Sequence, residues 1–216
     1  MAKAARRHKL VRMSAESDLR AGTVRSEQLP MRLRPASPIS DDELEELAWL
    51  NRDLRIERTA EGELIVMSPT GGNTGRRNFG LIGAFFVWVE RDGSGVAFDS
   101  STGFFLPNGA ERSPDLAWIK RARWEALTPE QQERFVPLCP DFVVEIRSPS
   151  NSVAELSSKL EEYIANGASL GWLIDPYERR IHVHRPGQVV ECLVEPTEIS
   201  GDPVLPGFML ATKALW

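Results

Sequence analysis

With 216 residues, 42% of them apolar, the chain has room for one ordinary domain plus an extension, and no run approaches the roughly 18 apolar residues of a membrane span. Its two cysteines, Cys139 and Cys192, stand in no ligand-like spacing, which argues against a disulfide framework and fits a reducing, cytoplasmic setting. The net charge of −5 hides an asymmetry: residues 1–37 hold nine Lys or Arg against three Asp or Glu, +6, which leaves −11 for the rest. That acidic body speaks against a surface that binds nucleic acid all over, but leaves room for a local basic groove.

Residues 1–37 lack sustained periodicity and read as a basic, disordered extension, either an arm on nucleic acid or a solvated tail, with Met13 and Met31 as alternative starts. The folded domain is expected over 38–216. Ser40 with Glu43 forms a capping box, and Leu44, Leu47 and Leu50 give a short helix over 41–50. Strands over 54–58 and 63–68 follow, joined through Thr59–Gly62 into an N-terminal β-hairpin. A glycine-rich loop, Gly71, Gly72 and Gly75, leads into a long apolar helix over about 74–91 that Gly93 and Gly95 end. Arg76 and Arg77 at its start either hold a nucleic-acid phosphate or belong to a plain flexible helix start; the P-loop pattern is absent.

Extended segments are expected over 96–99, 103–106 and 115–119, then one or two short helices over 121–134. The run Asp141–Arg147 reads as a strand buried on both faces, stopped by Ser148, Pro149 and Ser150. A second capping box, Ser152 with Glu155, starts a helix over 153–165, closed by Asn166 and Gly167. A buried strand over 170–175 and a C-terminal β-hairpin over 179–185 and 189–194 complete the pattern. Helices on both sides of mixed strands make the expected fold class α/β, a mixed sheet flanked by helices. The six tryptophans are expected in the core, with Trp88 or Trp124 at an interface. His182 and His184 share a strand face, but the remaining histidine, His8, lies in the extension, so a zinc site is not expected.

Glu145 and Arg147 are out of place in an apolar strand, since buried charges are rare unless paired or bound to metal. Asp115 opens another strand after Pro114. An Asp and a Glu converging from adjacent strands supply the oxygen ligands Mg²⁺ takes, and such an ion can activate water and neutralise phosphate charge. The plainer alternatives are a strand-entrance Asp115 and an internal Glu145–Arg147 ion pair. In the helix over 153–165, Lys159 lies about 40° beyond the apolar stripe at Tyr163. It either runs its stem along that border to Glu145 or pairs on the surface with Glu155.

The pair Pro114–Asp115 followed by Glu145-X-Arg147 resembles the motifs of the PD-(D/E)XK nuclease superfamily, with Arg where Lys usually stands. More specifically, several segments together resemble the Uma-two family of restriction endonucleases: Gly62–Pro69, Ser113–Asp115, Glu145–Ser150, Lys159 with Tyr163 and Gly167, and Trp172–Pro176. The likeness spans about residues 40–216. It implies a restriction-endonuclease-like fold and Mg²⁺-dependent phosphodiester cleavage, with Mn²⁺ able to substitute, acting on nucleic acid and on DNA first. The assembly it allows is a homodimer. Asp115 and Glu145 become metal ligands, Glu57 a further carboxylate for the metal or else a hairpin surface residue, and Lys159 stands in for the missing lysine. Arg147 remains protonated, so it can steady a phosphate but cannot readily act as a base. The competing expectation is a catalytically weak or inactive nuclease-fold module that binds nucleic acid or a protein partner.

Overall fold

A computed structural model describes residues 29–216. Most of the expected basic extension therefore lies outside the described residues. The expected boundary at residue 38 falls after a strand, β1 (Met31–Leu33), which pairs antiparallel with β3 (Leu64–Met67). Three residues give too short a pattern for periodicity to register, so the pairing rests on the β3 edge.

The N-terminal half forms a five-stranded sheet in the order β1, β3, β2 (Arg55–Arg58), β6 (Glu111–Arg112) and β5 (Phe104–Phe105). Helix α1 (Asp41–Leu50) starts at the Ser40–Glu43 capping box and buries Leu44 and Leu47 against Ile56, Leu64 and Val66 of this sheet. The expected N-terminal hairpin is β2–β3, and it belongs to this sheet rather than to the one that carries the central strand.

That central strand is β8 (Phe142–Ile146), buried at every position. It lies in a six-stranded mixed sheet ordered β11 (Glu191–Val194), β10 (Arg180–His184), β9 (Leu170–Asp175), β8, β7 (Leu116–Lys120) and β4 (Gly95–Asp99). Only β8 and β9 are parallel. The crossover between them is α5 (Val153–Ala165), as a parallel pair requires. The C-terminal hairpin β10–β11 forms one end of this sheet. A small two-stranded sheet, β12 (Glu198–Ser200) with β13 (Met209–Ala211), follows.

Alternation along the strands sorts the core into two layers. Phe142, Val144 and Ile146 of β8, with Leu116, Trp118 and Trp172, face α2 (Gly72–Asp92) through Leu81 and Phe85. Val143, Ala117, Ile119 and Leu173 face α5 through Leu156, Leu160 and Tyr163. Close approach of α5 to the sheet depends on Gly171, where an added Cβ would lie 3.1 Å from Leu160. Between β7 and β8 run the short helices α3 (Arg121–Glu125) and α4 (Pro129–Gln132), the latter opened by a Thr128–Gln131 capping box. Trp118 and Trp172 occupy the core as expected. Trp49 does not: it is 64% exposed, with Arg52 over its ring at 5.0 Å.

The Ser152 hydroxyl accepts from the Glu155 amide while the Glu155 carboxylate accepts from Ser152, fixing the start of α5. Ser152→Ala is expected to cost about 1 kcal/mol, read as a lower urea midpoint with unchanged slope.

Candidate active site

Asp115 and Glu145 meet through sheet register. Leu116 sits opposite Val144 across the antiparallel β7–β8 pair, so one step further Asp115 lies opposite Glu145. Both belong to the series that faces α5. The Ile146 amide donates to Asp115 Oδ2 at 2.8 Å, which ties the turn before β7 to the end of β8.

Lys159 reaches this point from α5. Its Nζ stands 2.8 Å from Glu145 Oε1 and 2.8 Å from Glu57 Oε1, so of the two expected placements the structure has the inward one. Leu156, Leu160 and Tyr163 bury the adjoining face of α5, and the lysine stem follows its border. The Tyr163 hydroxyl donates to Glu145 Oε1 at 3.4 Å.

Glu57 is not a hairpin surface residue: it is buried, and β2 brings it in from the other sheet. Around its carboxylate stand Lys159 at 2.8 Å, Arg55 at 3.3 Å, Arg112 at 3.4 Å and the Ser113 amide at 3.2 Å. Arg55, two positions before Glu57 on the same strand face, also lies 3.6 Å from Asp115 Oδ1. Arg112 donates onward to Glu162 of α5 at 2.6 Å. Sequence reasoning missed Arg55 and Arg112. The i, i+2 spacing of Arg55 and Glu57 was the only local signal for the first, and the partner of the second lies 50 residues away.

The cluster therefore holds three buried carboxylates among three cations. Burial pushes Glu57 up, but Lys159, Arg55 and Arg112 together outweigh it and hold the group down to about 2. At Glu145 burial dominates, and Asp115 and Glu57 add to it against the pull of Lys159, so its carboxyl rises to about 7. Glu111, fully buried next to the cluster, is raised to about 8 by burial and by Glu57, against a hydrogen bond from Ser113. Sequence gave no hint of this fourth carboxyl, because β6 is only two residues long.

Arg147 is placed elsewhere. Its guanidinium pairs with Asp175 at 2.9 Å, donates to the Asn151 carbonyl and lies over the Tyr177 ring at 5.4 Å. It makes no ion pair with Glu145. Arg77 lies over the same Tyr177 ring at 5.7 Å and donates to the Leu215 carbonyl, while Arg76 donates to the carbonyls of Ala214 and Trp216. Neither contacts the carboxylate cluster.

A groove of about 1090 Å³ opens beside the cluster, with Arg55 and Ser113 in its wall and Trp49, Arg52, Arg134 and Phe135 further out. The donor set at the cluster is all carboxylate oxygen, the hard set that Mg²⁺ takes with one or two protein carboxylates and retained water. Asp115 and Glu145 fit that description as a pair. Among the described residues, no group of three or more His, Cys, Asp or Glu is arranged to hold an ion.

A mixed sheet between two helical layers, with acidic groups gathered where β7 and β8 meet, is the architecture of a nuclease-like α/β protein. A solved structure of a putative nuclease belonging to DUF820 from Anabaena variabilis has this fold: the TM-score is 0.68 at 23% identity, over 82% of this chain and 97% of that one. The pattern of the Uma2 family, described as putative restriction endonuclease, matches residues 41–213, and the chain belongs to that family. No curated protein matches it significantly in sequence. Family membership sets the chain among restriction-endonuclease-like nucleases, which usually work with a divalent metal. Among the described residues no helix is long and apolar enough to cross a membrane.

Proposed function

We propose that the protein is a metal-dependent endonuclease that hydrolyses phosphodiester bonds of DNA. The observation that carries this reading is the convergence of Asp115, Glu145 and Lys159, from two strands and a helix, beside an open groove. Asp115 and Glu145 would hold Mg²⁺ or Mn²⁺, which when bound activates water and neutralises charge on the phosphate. Lys159 orients the attacking water, whose oxygen bonds to phosphorus as the bond to the leaving oxygen breaks. The water's proton passes to solvent and the leaving oxygen takes one from it. Glu57 serves as the hub that fixes Lys159 and Arg55, since its oxygens are already engaged by three cations and one amide. Arg55 in turn faces Asp115 and fixes that carboxylate from the groove side. Arg147, held by Asp175, together with Arg77 forms a cationic rim around Tyr177 that suits a backbone phosphate away from the scissile bond.

Supercoiled plasmid and single-stranded DNA incubated with Mg²⁺ or Mn²⁺ provide the test. Cleavage is expected with either ion, none with excess chelator, and none for Asp115→Ala or Glu145→Ala. Cleavage that survives both substitutions overturns the assignment. A binding-only module is the second reading, favoured by the direct Lys159–Glu145 contact, which already engages one oxygen of the proposed ligand Glu145. Calorimetry that detects no Asp115-dependent Mn²⁺ binding would select it.

A further inference from the structure

Helix α2 is apolar on two opposite sides. One side carries Leu81 and Phe85 into the core beneath the six-stranded sheet. The other presents Phe79, 79% exposed, Phe86, 59% exposed, and Val87, 51% exposed, to solvent. At about 100° per residue these three fall with Arg76, Gly83 and Glu90 inside one stripe about 100° wide. A helix that is apolar all round belongs in an interior, and two phenylalanines and a valine exposed on a single stripe mark a contact surface.

We propose that this stripe is the interface of a two-fold dimer in which α2 packs antiparallel against α2 of a second copy, crossing at Gly83. The inference is independent of the nuclease reading. The stripe is complementary to itself in that one arrangement. With Gly83 on the axis, each residue comes level with the one equally far on the other side of position 83, and residues turned to the same flank of the helix meet across the seam. Arg76, seven before it, meets Glu90, seven after it, and the pair forms twice. At about 100° per residue Phe79 and Phe86 both turn to one flank of Gly83, so each packs on the other across the axis. Val87 and Gly80 turn to the other flank, where Val87 covers Gly80; an added Cβ at Gly80 would lie 3.7 Å from Ala214. Gly83 itself has nothing within 4 Å of where its Cβ would be, so it lets the two backbones approach closely. Charge therefore pairs with opposite charge, aromatic with aromatic, valine with glycine, and glycine with glycine, as an isologous interface requires. A parallel arrangement would put Arg76 beside Arg76 and Phe79 beside Phe79.

Sedimentation of the full chain tests this. A dimer of twice the 24.2 kDa chain mass is expected. Gly83→Leu, at an open helical position where the larger residue favours the monomer's helix, is expected to raise the dimer dissociation constant about thirtyfold or more. Arg76→Glu and Glu90→Arg should each raise it by about threefold to tenfold, and the double variant should restore it. In a Cys192→Ser background, Gly83→Cys should form an intermolecular disulfide under mild oxidation, whereas Ala84→Cys, turned about 100° away, should not. A chain that remains monomeric at all concentrations overturns the proposal, as does a dimer that Gly83→Leu leaves intact. Binding of the monomer to lipid vesicles through Phe79 and Phe86 would also overturn it.

Discussion

Glu57→Gln and Glu145→Gln, the same change on two carboxylates that share one ammonium, are expected to move stability in opposite directions at pH 8. Glu57 in the folded protein is held down to about 2 from an ordinary 4.5. Its stabilising contribution is therefore present above 4.5 and lost as pH falls through about 2. Removing its charge at pH 8 leaves Lys159, Arg55 and Arg112 short of a counter-charge in a buried place, at an expected cost of about 3 kcal/mol. Glu145 is raised to about 7, so its favourable balance is complete below 4.5 and lost as pH rises through about 7. At pH 8 its ionised form opposes folding, and Gln relieves that. Urea denaturation at pH 5 and pH 8, with chelator present, should show Glu57→Gln weaker and Glu145→Gln stronger than wild type at pH 8. The Glu145→Gln gain should shrink by pH 5. Equal destabilisation by both would contradict this account of the cluster.

Lys159→Met should remove both activity and stability. Methionine retains much of the apolar stem but leaves Glu57 and Glu145, both buried, with no cation between them. Breaking a buried pair by removing one partner costs about 3–5 kcal/mol. Under the proposed role, loss of the ammonium that orients water lowers cleavage by about 10²- to 10³-fold, as for other preorganised donors. Adding Glu145→Gln to Lys159→Met should recover much of the stability and none of the cleavage. Cleavage at the wild-type rate in Lys159→Met would remove the lysine from the reaction.

The parts of the fold that sequence revealed are those governed by local chemistry. Both Ser–Glu capping boxes sit where the helices start, and the apolar run of β8, broken only by Glu145, is buried throughout like its neighbour β9. The elements that sequence did not reveal are short and held by distant partners. β1 and β6 have three and two residues, too few for a period, and exist because β3 and β2 offer them edges. The site divides in the same way. Asp115, Glu145 and Lys159 stood out because a carboxylate in an apolar strand, or an ammonium at the edge of an apolar stripe, is locally anomalous. Arg147 stood out for the same reason, yet it is held by Asp175, one strand over, a partner that no spacing pointed to. Arg55, Arg112 and Glu111 carry no local anomaly in the sequence, and only the docking of the two sheets buries them among the acidic residues.

That docking ties the cluster's integrity to two separately built pieces of the molecule. Glu57 and Arg55 come from the five-stranded sheet, Asp115 and Glu145 from the six-stranded one, and Lys159 bridges them. Fraying of the smaller sheet alone would withdraw the hub while leaving β7, β8 and α5 folded. On warming, cleavage should therefore disappear before the circular-dichroism signal of the main sheet does, so that lost activity is the earliest report of lost structure.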